Sequence, residues 1–149
     1  MIKQWLSKVV IWVGLLSAAP WLAAELQVDD GYVRGLPPGQ TVTAAFMTLV
    51  NNSDQAVTIV SAASDSAELA EVHAHVHNNG MMSMKKVESI TVPAKGRFVL
   101  VPGQHHLMLI NLLKPLKQQG KVSITLSLSN GSTQTVQLPV ISVLNEHHH

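Results

Sequence analysis

Short runs of alternating or continuous apolar residues, each closed by a turn signal, recur along most of the chain. Gln27 to Arg34 reads as a first strand, and Gly35-Leu36-Pro37-Pro38-Gly39 as the loop after it. Thr43 to Asn51 is apolar enough for a buried strand and stops at Asn51-Asn52-Ser53-Asp54, where polar side chains bond their own backbone. Val57 to Ala63 follows, with a break at Ser64-Asp65-Ser66. Glu71 to His77 alternates cleanly, with Val72, Ala74 and Val76 on one face and His73, His75 and His77 on the other. Asn78-Asn79-Gly80 is a hairpin signal, and Met84 to Val92 reads as a single returning strand. Turns at Pro93-Ala94-Lys95-Gly96 and Pro102-Gly103 bracket a short apolar run from Arg97 to Val101. His106 to Leu112, Val122 to Leu128 and Thr133 to Val140 complete the pattern, with a polar connection from Lys114 to Gly120 and a turn at Asn130-Gly131.

About nine short strands at this spacing, with no amphipathic helix, predict an all-β fold: an antiparallel β-sandwich or Greek-key barrel. Buried faces of period two also predict a strict register, since a slip of one residue turns each face to water. Residues 1–24 stand apart. Lys3 and Lys8 precede an apolar run from Val9 to Ala19, and Leu22-Ala23-Ala24 offers a small-residue cleavage site before Glu25. The run falls short of the roughly 20 apolar residues of a spanning helix. The expected organisation is therefore a leader over 1–24, one domain over 25–144 and a short histidine-containing tail over 145–149. The expected location is the periplasm, with no membrane span once the leader is cleaved.

Composition narrows the chemistry. The leader takes two of the ten Lys and Arg residues and all three tryptophans, leaving eight cations against nine Asp and Glu, a net charge of −1. Without a basic stripe there is no electrostatic footprint for nucleic acid. With no cysteine, disulfides, thiolate nucleophiles, zinc fingers and blue-copper centres are all excluded from these 149 residues.

What the chain does hold is a concentration of imidazole and thioether. The stretch from His73 to Met108 contains five of the eight histidines and four of the six methionines. Four donors stand out by spacing: His73, then Met84 after ten intervening residues, His106 after twenty-one more, and Met108 after one. His106 and Met108, two apart on a predicted strand, point the same way. His73 and Met84 lie on the two arms of the predicted hairpin. A two- or four-residue loop puts them on one face; a three-residue loop without a bulge separates them. Two imidazoles and two thioethers are neutral, soft donors that suit Cu(I), whereas Zn²⁺ favours thiolate, imidazole or carboxylate.

That spacing, with Pro102-Gly103 ahead of the second histidine and Leu109 after Met108, resembles the periplasmic copper chaperone family called PCuAC. Tyr32-Val33-Arg34, Pro37-Pro38-Gly39, Ala45-Phe46-Met47, Val72-His73 and His105-His106-Leu107-Met108-Leu109 extend the likeness from about Gln27 to Val140. The resemblance implies a cupredoxin-like barrel and Cu(I) carriage. It also implies delivery towards the CuA centre of cytochrome c oxidase subunit II, beside a Sco-type protein. By position, His73, Met84, His106 and Met108 inherit the ligand role. Tyr32 departs from the tryptophan common in the family, at a position expected to matter for packing.

His75, His77, Met81, Met82 and His105 are extra donors, read either as a polar rim or as a landing path. A Cu(II) site built from His73, His75 and His77 is the functional alternative. His147-His148-His149 is read as a natural tail or a truncated tag. Two other functions share these residues: a copper-sequestering resistance protein, and a mononuclear copper or zinc enzyme. The enzyme requires an open coordination position with a carboxylate, for which Glu71 and Glu88 stand nearest in sequence. No catalytic motif supports it, and the expectation is a carrier, not an enzyme.

Overall fold

The alternating runs become ten strands in a computed structural model that describes residues 26–142 and Gly14. The leader and the histidine tail lie outside the described residues. The strands are β1 (Leu26–Gly35), β2 (Val42–Asn51), β3 (Val57–Ser64), β4 (Ala67–Asn78), β5 (Met81–Lys86), β6 (Ile90–Val92), β7 (Arg97–Leu100), β8 (His105–Leu112), β9 (Lys121–Leu128) and β10 (Thr133–Ser142). Among the described residues there is no helix, and hence none long and apolar enough to cross a membrane.

Seven strands run side by side in the order β4-β8-β2-β1-β10-β9-β3, and β3 pairs back onto β4 at Ala62 and Ala70, closing a barrel. β5 extends β4 outwards as an edge strand, β6 adds to β3, and β7 pairs with β2. Two features depart from the sequence expectation. The run expected as one strand from Met84 to Val92 divides, because the Val87 amide donates to the Val72 carbonyl at 2.8 Å and the chain then leaves for β3. And β1 pairs with β10 in parallel, so the barrel is not wholly antiparallel.

The pleat sorts the side chains. Leu107 and Leu109 of β8, Ala45, Met47 and Leu49 of β2, and Val122, Ile124 and Leu126 of β9 point inward and form the apolar interior. A fully buried Leu or Ile of this kind costs about 2–5 kcal/mol when cut to Ala. Asn51, fully buried at the end of β2, is the main polar exception. Its carboxamide nitrogen donates to the Gln55 and Val92 carbonyls, and its oxygen accepts from the amide and hydroxyl of Ser53.

The β4–β5 hairpin closes through Asn79 and Gly80, at φ 52° and 77°. Two successive positive φ values match the strand twist, and Asn-Gly adopts them at the least steric cost. This two-residue loop sets the register Asn78 to Met81, His77 to Met82 and His75 to Met84.

Candidate metal centre

Because β8 turns Leu107 and Leu109 inward, His106 and Met108 face outward, away from the barrel interior. β4 lies alongside with His73 directly across from His106 and Glu71 across from Met108. On the far side of β4, His75 stands opposite Met84 and His73 opposite Lys86. All four donors singled out from the sequence therefore project from one face of three adjacent strands. Met84 reaches this face because the hairpin loop has two residues; it sits diagonally from His73 and squarely across from His75.

The donors differ in exposure. His106 is 4% exposed although it lies outside the barrel, because the Phe46 ring on β2 packs 6.5 Å away, centroid to centroid, and His75 and His73 cover it at 5.3 and 6.1 Å. Met84, on an edge strand exposed along its whole length, is 56% exposed. His106 Nδ1 lies 3.3 Å from the Gln104 carbonyl. A carbonyl only accepts, so Nδ1 carries the proton and Nε2 keeps a lone pair for a metal. Burial holds the His106 imidazole below the usual histidine range, against the opposing pull of its bond to Gln104; His75, His73 and Arg34 lower it further.

His73 is oriented differently. Its Nε2 lies 3.0 Å from Glu71 Oε2, and Lys86 Nζ lies 3.4 Å from the other carboxylate oxygen. The bond from His73, and then the Lys86 charge, hold the Glu71 carboxyl below its ordinary value, with slight burial opposing. A carboxylate on one ring nitrogen fixes the tautomer and leaves Nδ1 as the donor, an arrangement common behind metal-bound histidines.

An open cleft of about 560 Å³ runs along this face, lined by Arg34, Phe46, His75, Met84, His106 and Met108. Among the described residues no three His, Cys, Asp or Glu side chains converge closely enough to hold a metal. The imidazoles share this face with the thioethers of Met84 and Met108, and such a mixed neutral donor set suits a soft, monovalent ion.

Of the extra donors, His77 and Met82 face each other on the same side, one step nearer the hairpin tip. Met81 alternates to the opposite face, across from Asn78. His105 turns away from the cleft and packs edge-on against Phe98 at 4.9 Å, which makes it a packing residue. Three residues at the site were not singled out as functional from the sequence. Gln104 contributes through its backbone, which no side-chain pattern reveals. Phe46 and Arg34, stacked at 5.1 Å, form the cleft wall, and Tyr32 backs Phe46 at 5.3 Å. The tyrosine is thus one ring removed from His106.

The chain and its fold have counterparts among known proteins. A family described as LpqE-like lipoproteins matches residues 26–140. A lipoprotein of Leifsonia xyli subsp. xyli, Lxx21020, is 35% identical over 119 residues, covering 79% of this chain and 70% of its own. The copper(I) form of DR1885 from Deinococcus radiodurans is 36% identical, with 83% of each chain covered and a TM-score of 0.60. The copper-bound PCuAC domain of PmoF2 is 18% identical with a TM-score of 0.64, covering 78% of this chain and 92% of that domain; it speaks for a shared cupredoxin-like fold.

Proposed function

The chain belongs to the LpqE-like, PCuAC-type family, and on that premise we propose that it is a copper carrier holding Cu(I) between His73, Met84, His106 and Met108. The observation that carries this reading is the register of β5, β4 and β8, which gathers two imidazoles and two thioethers on one face with a cleft beside them. DR1885, 36% identical to this chain over the 83% that aligns, has a copper(I)-bound form.

The chain's own residues divide the work. His106, buried and fixed by Gln104, is the anchor. His73, oriented by Glu71, presents a second nitrogen. Met108 closes the strand side. Met84, exposed on the edge, is the donor an incoming protein can reach and displace first. Neutral donors leave the ion its single positive charge, so selection rests on softness. Thioethers also persist under oxidising conditions where thiols do not, although they remain open to sulfoxide formation.

The same reading extends to place and partner. The lipoprotein names of the family and of the Leifsonia relative support export. Delivery runs towards the CuA site of cytochrome c oxidase subunit II or through a Sco-type protein, and the protein carries copper without catalysing a reaction.

Metal analysis and X-ray absorption on the reduced mature protein test the ligand set. One copper with two nitrogen and two sulfur neighbours is expected, and a sulfur-free first shell refutes it. Transfer to an apo-CuA domain separates delivery from sequestration: a carrier loses its copper to the acceptor, and a sequestering protein keeps it.

A further inference from the structure

The donor face offers one more imidazole than the four-donor spacing requires. His75 stands directly across β4–β5 from Met84, whereas His73 stands across from Lys86. The His75 ring is 5.3 Å from that of His106, closer than the 6.1 Å between His73 and His106. Two imidazoles bound to one ion through bonds of about 2 Å hold their centroids roughly 4.5–6 Å apart, so the His75–His106 pair already has that separation. The cleft wall repeats the same selection: His75, Met84, His106 and Met108 line it, and His73 does not. His73 turns aside to Glu71, 3.0 Å away, and Glu71 is held in turn by Lys86.

We propose that His75 is a copper donor that can take the place of His73 beside Met84, His106 and Met108. The face then carries two overlapping sets of two imidazoles and two thioethers that share three members. The set with His75 opens on the cleft and receives or releases the ion. The set with His73 lies behind it, with Glu71 fixing its imidazole. Moving between them exchanges one neutral nitrogen for another, so neither charge nor oxidation state changes. The proposal rests on the copper-carrier reading above, and its test keeps the two apart.

The test is Cu(I) competition titration of the wild type, His73→Ala, His75→Ala and the double variant under reductant, with X-ray absorption on His73→Ala. In the His73→Ala background, removing His75 is expected to weaken Cu(I) binding at least about tenfold, because the substitute nitrogen is lost as well. His73→Ala alone is expected to keep two nitrogen neighbours on the copper. If the double variant binds as His73→Ala does, or if His73→Ala shows a single nitrogen, His75 is not a donor and the proposal falls while the carrier reading stands. A wild type that takes up no Cu(I) sinks both. Unfolding midpoints of the metal-free variants, expected to match the wild type, exclude a loss caused by misfolding.

Discussion

Replacing Met84 by Leu separates the metal from the fold. In the metal-free protein the change removes little. Met84 is 56% exposed on a strand with every residue exposed, and a Met-to-Leu exchange nearly conserves volume. Surface changes of this kind stay within about 0.5 kcal/mol. With copper bound, the same change removes one of four donors. Changes to residues that merely support a ligand cost about 10–100-fold in metal affinity, so loss of the ligand itself should reach about 100-fold, or roughly 2.7 kcal/mol. Binding to the native state stabilises it by RT ln(1 + [L]/Kd), so at fixed saturating copper the variant forfeits the same roughly 2.7 kcal/mol of added stability. For a domain of this size that is on the order of 10 °C in melting temperature. The assay is thermal unfolding with and without Cu(I), beside a chelator competition. The expected result is an unchanged metal-free midpoint and a much reduced copper-dependent rise. An undiminished rise would remove Met84 from the site; a metal-free midpoint lowered by several degrees would mean that β5 supports the barrel more than its exposure implies.

Other expectations follow from the same geometry. Met82 shares the donor face with His77 whereas Met81 points the other way, so Met82→Leu should slow copper transfer several-fold at unchanged affinity and Met81→Leu should leave the rate alone, as stopped-flow transfer to an acceptor would show. Cu(I) affinity should fall as the pH drops through the acid range, since imidazole must be neutral to ligate, and the share due to His106 should be lost late because burial lowers its folded value; a titration flat down to about pH 4 contradicts histidine ligation. Metal-free stability should share that direction. The unfolded chain takes up the His106 proton near pH 6.5, before the folded chain does, so the stability present above that pH declines as the pH falls towards the depressed folded value. Denaturant midpoints at pH 7.5 and 5.5 should differ for the wild type and differ less for His106→Leu. Asn51→Leu should cost about 2–4 kcal/mol by denaturant unfolding, because the buried Val92 carbonyl and the Ser53 amide lose their partner.

The strands were legible because their apolar positions recur with period two between Pro, Gly and Asn turns. The parity of the donors was only half legible: Asn78-Asn79-Gly80 marks the turn but leaves two-, three- and four-residue loops open, and it is the two-residue loop of the structure that places Met84 on the histidine face. What the sequence does not carry is which partner each donor meets. The spacing singles out His73 with Met84, yet the register puts His75 across from Met84, because pairing follows from where the chain reverses and not from separation along it. The division after Lys86 was hidden for a related reason: Val87 bonds back to Val72, a contact visible only once the hairpin is formed. The parallel pairing of β1 with β10 joins opposite ends of the domain, beyond any local pattern. Gln104 acts through a carbonyl, and Phe46 reads as core until its pleat turns it outward against His106.

The donors stand on the outer wall of a closed barrel whose apolar interior is filled from the opposite side of the same strands. In the proposed site, metal preference can thus be re-specified apart from foldability: exchanging imidazole for thioether along β4 and β5 would alter which ion is welcome while leaving the side chains of the barrel interior unchanged. A lineage built on this scaffold can drift in ion choice through solvent-side replacements alone, and so can a laboratory library confined to positions 73, 75, 77, 82 and 84.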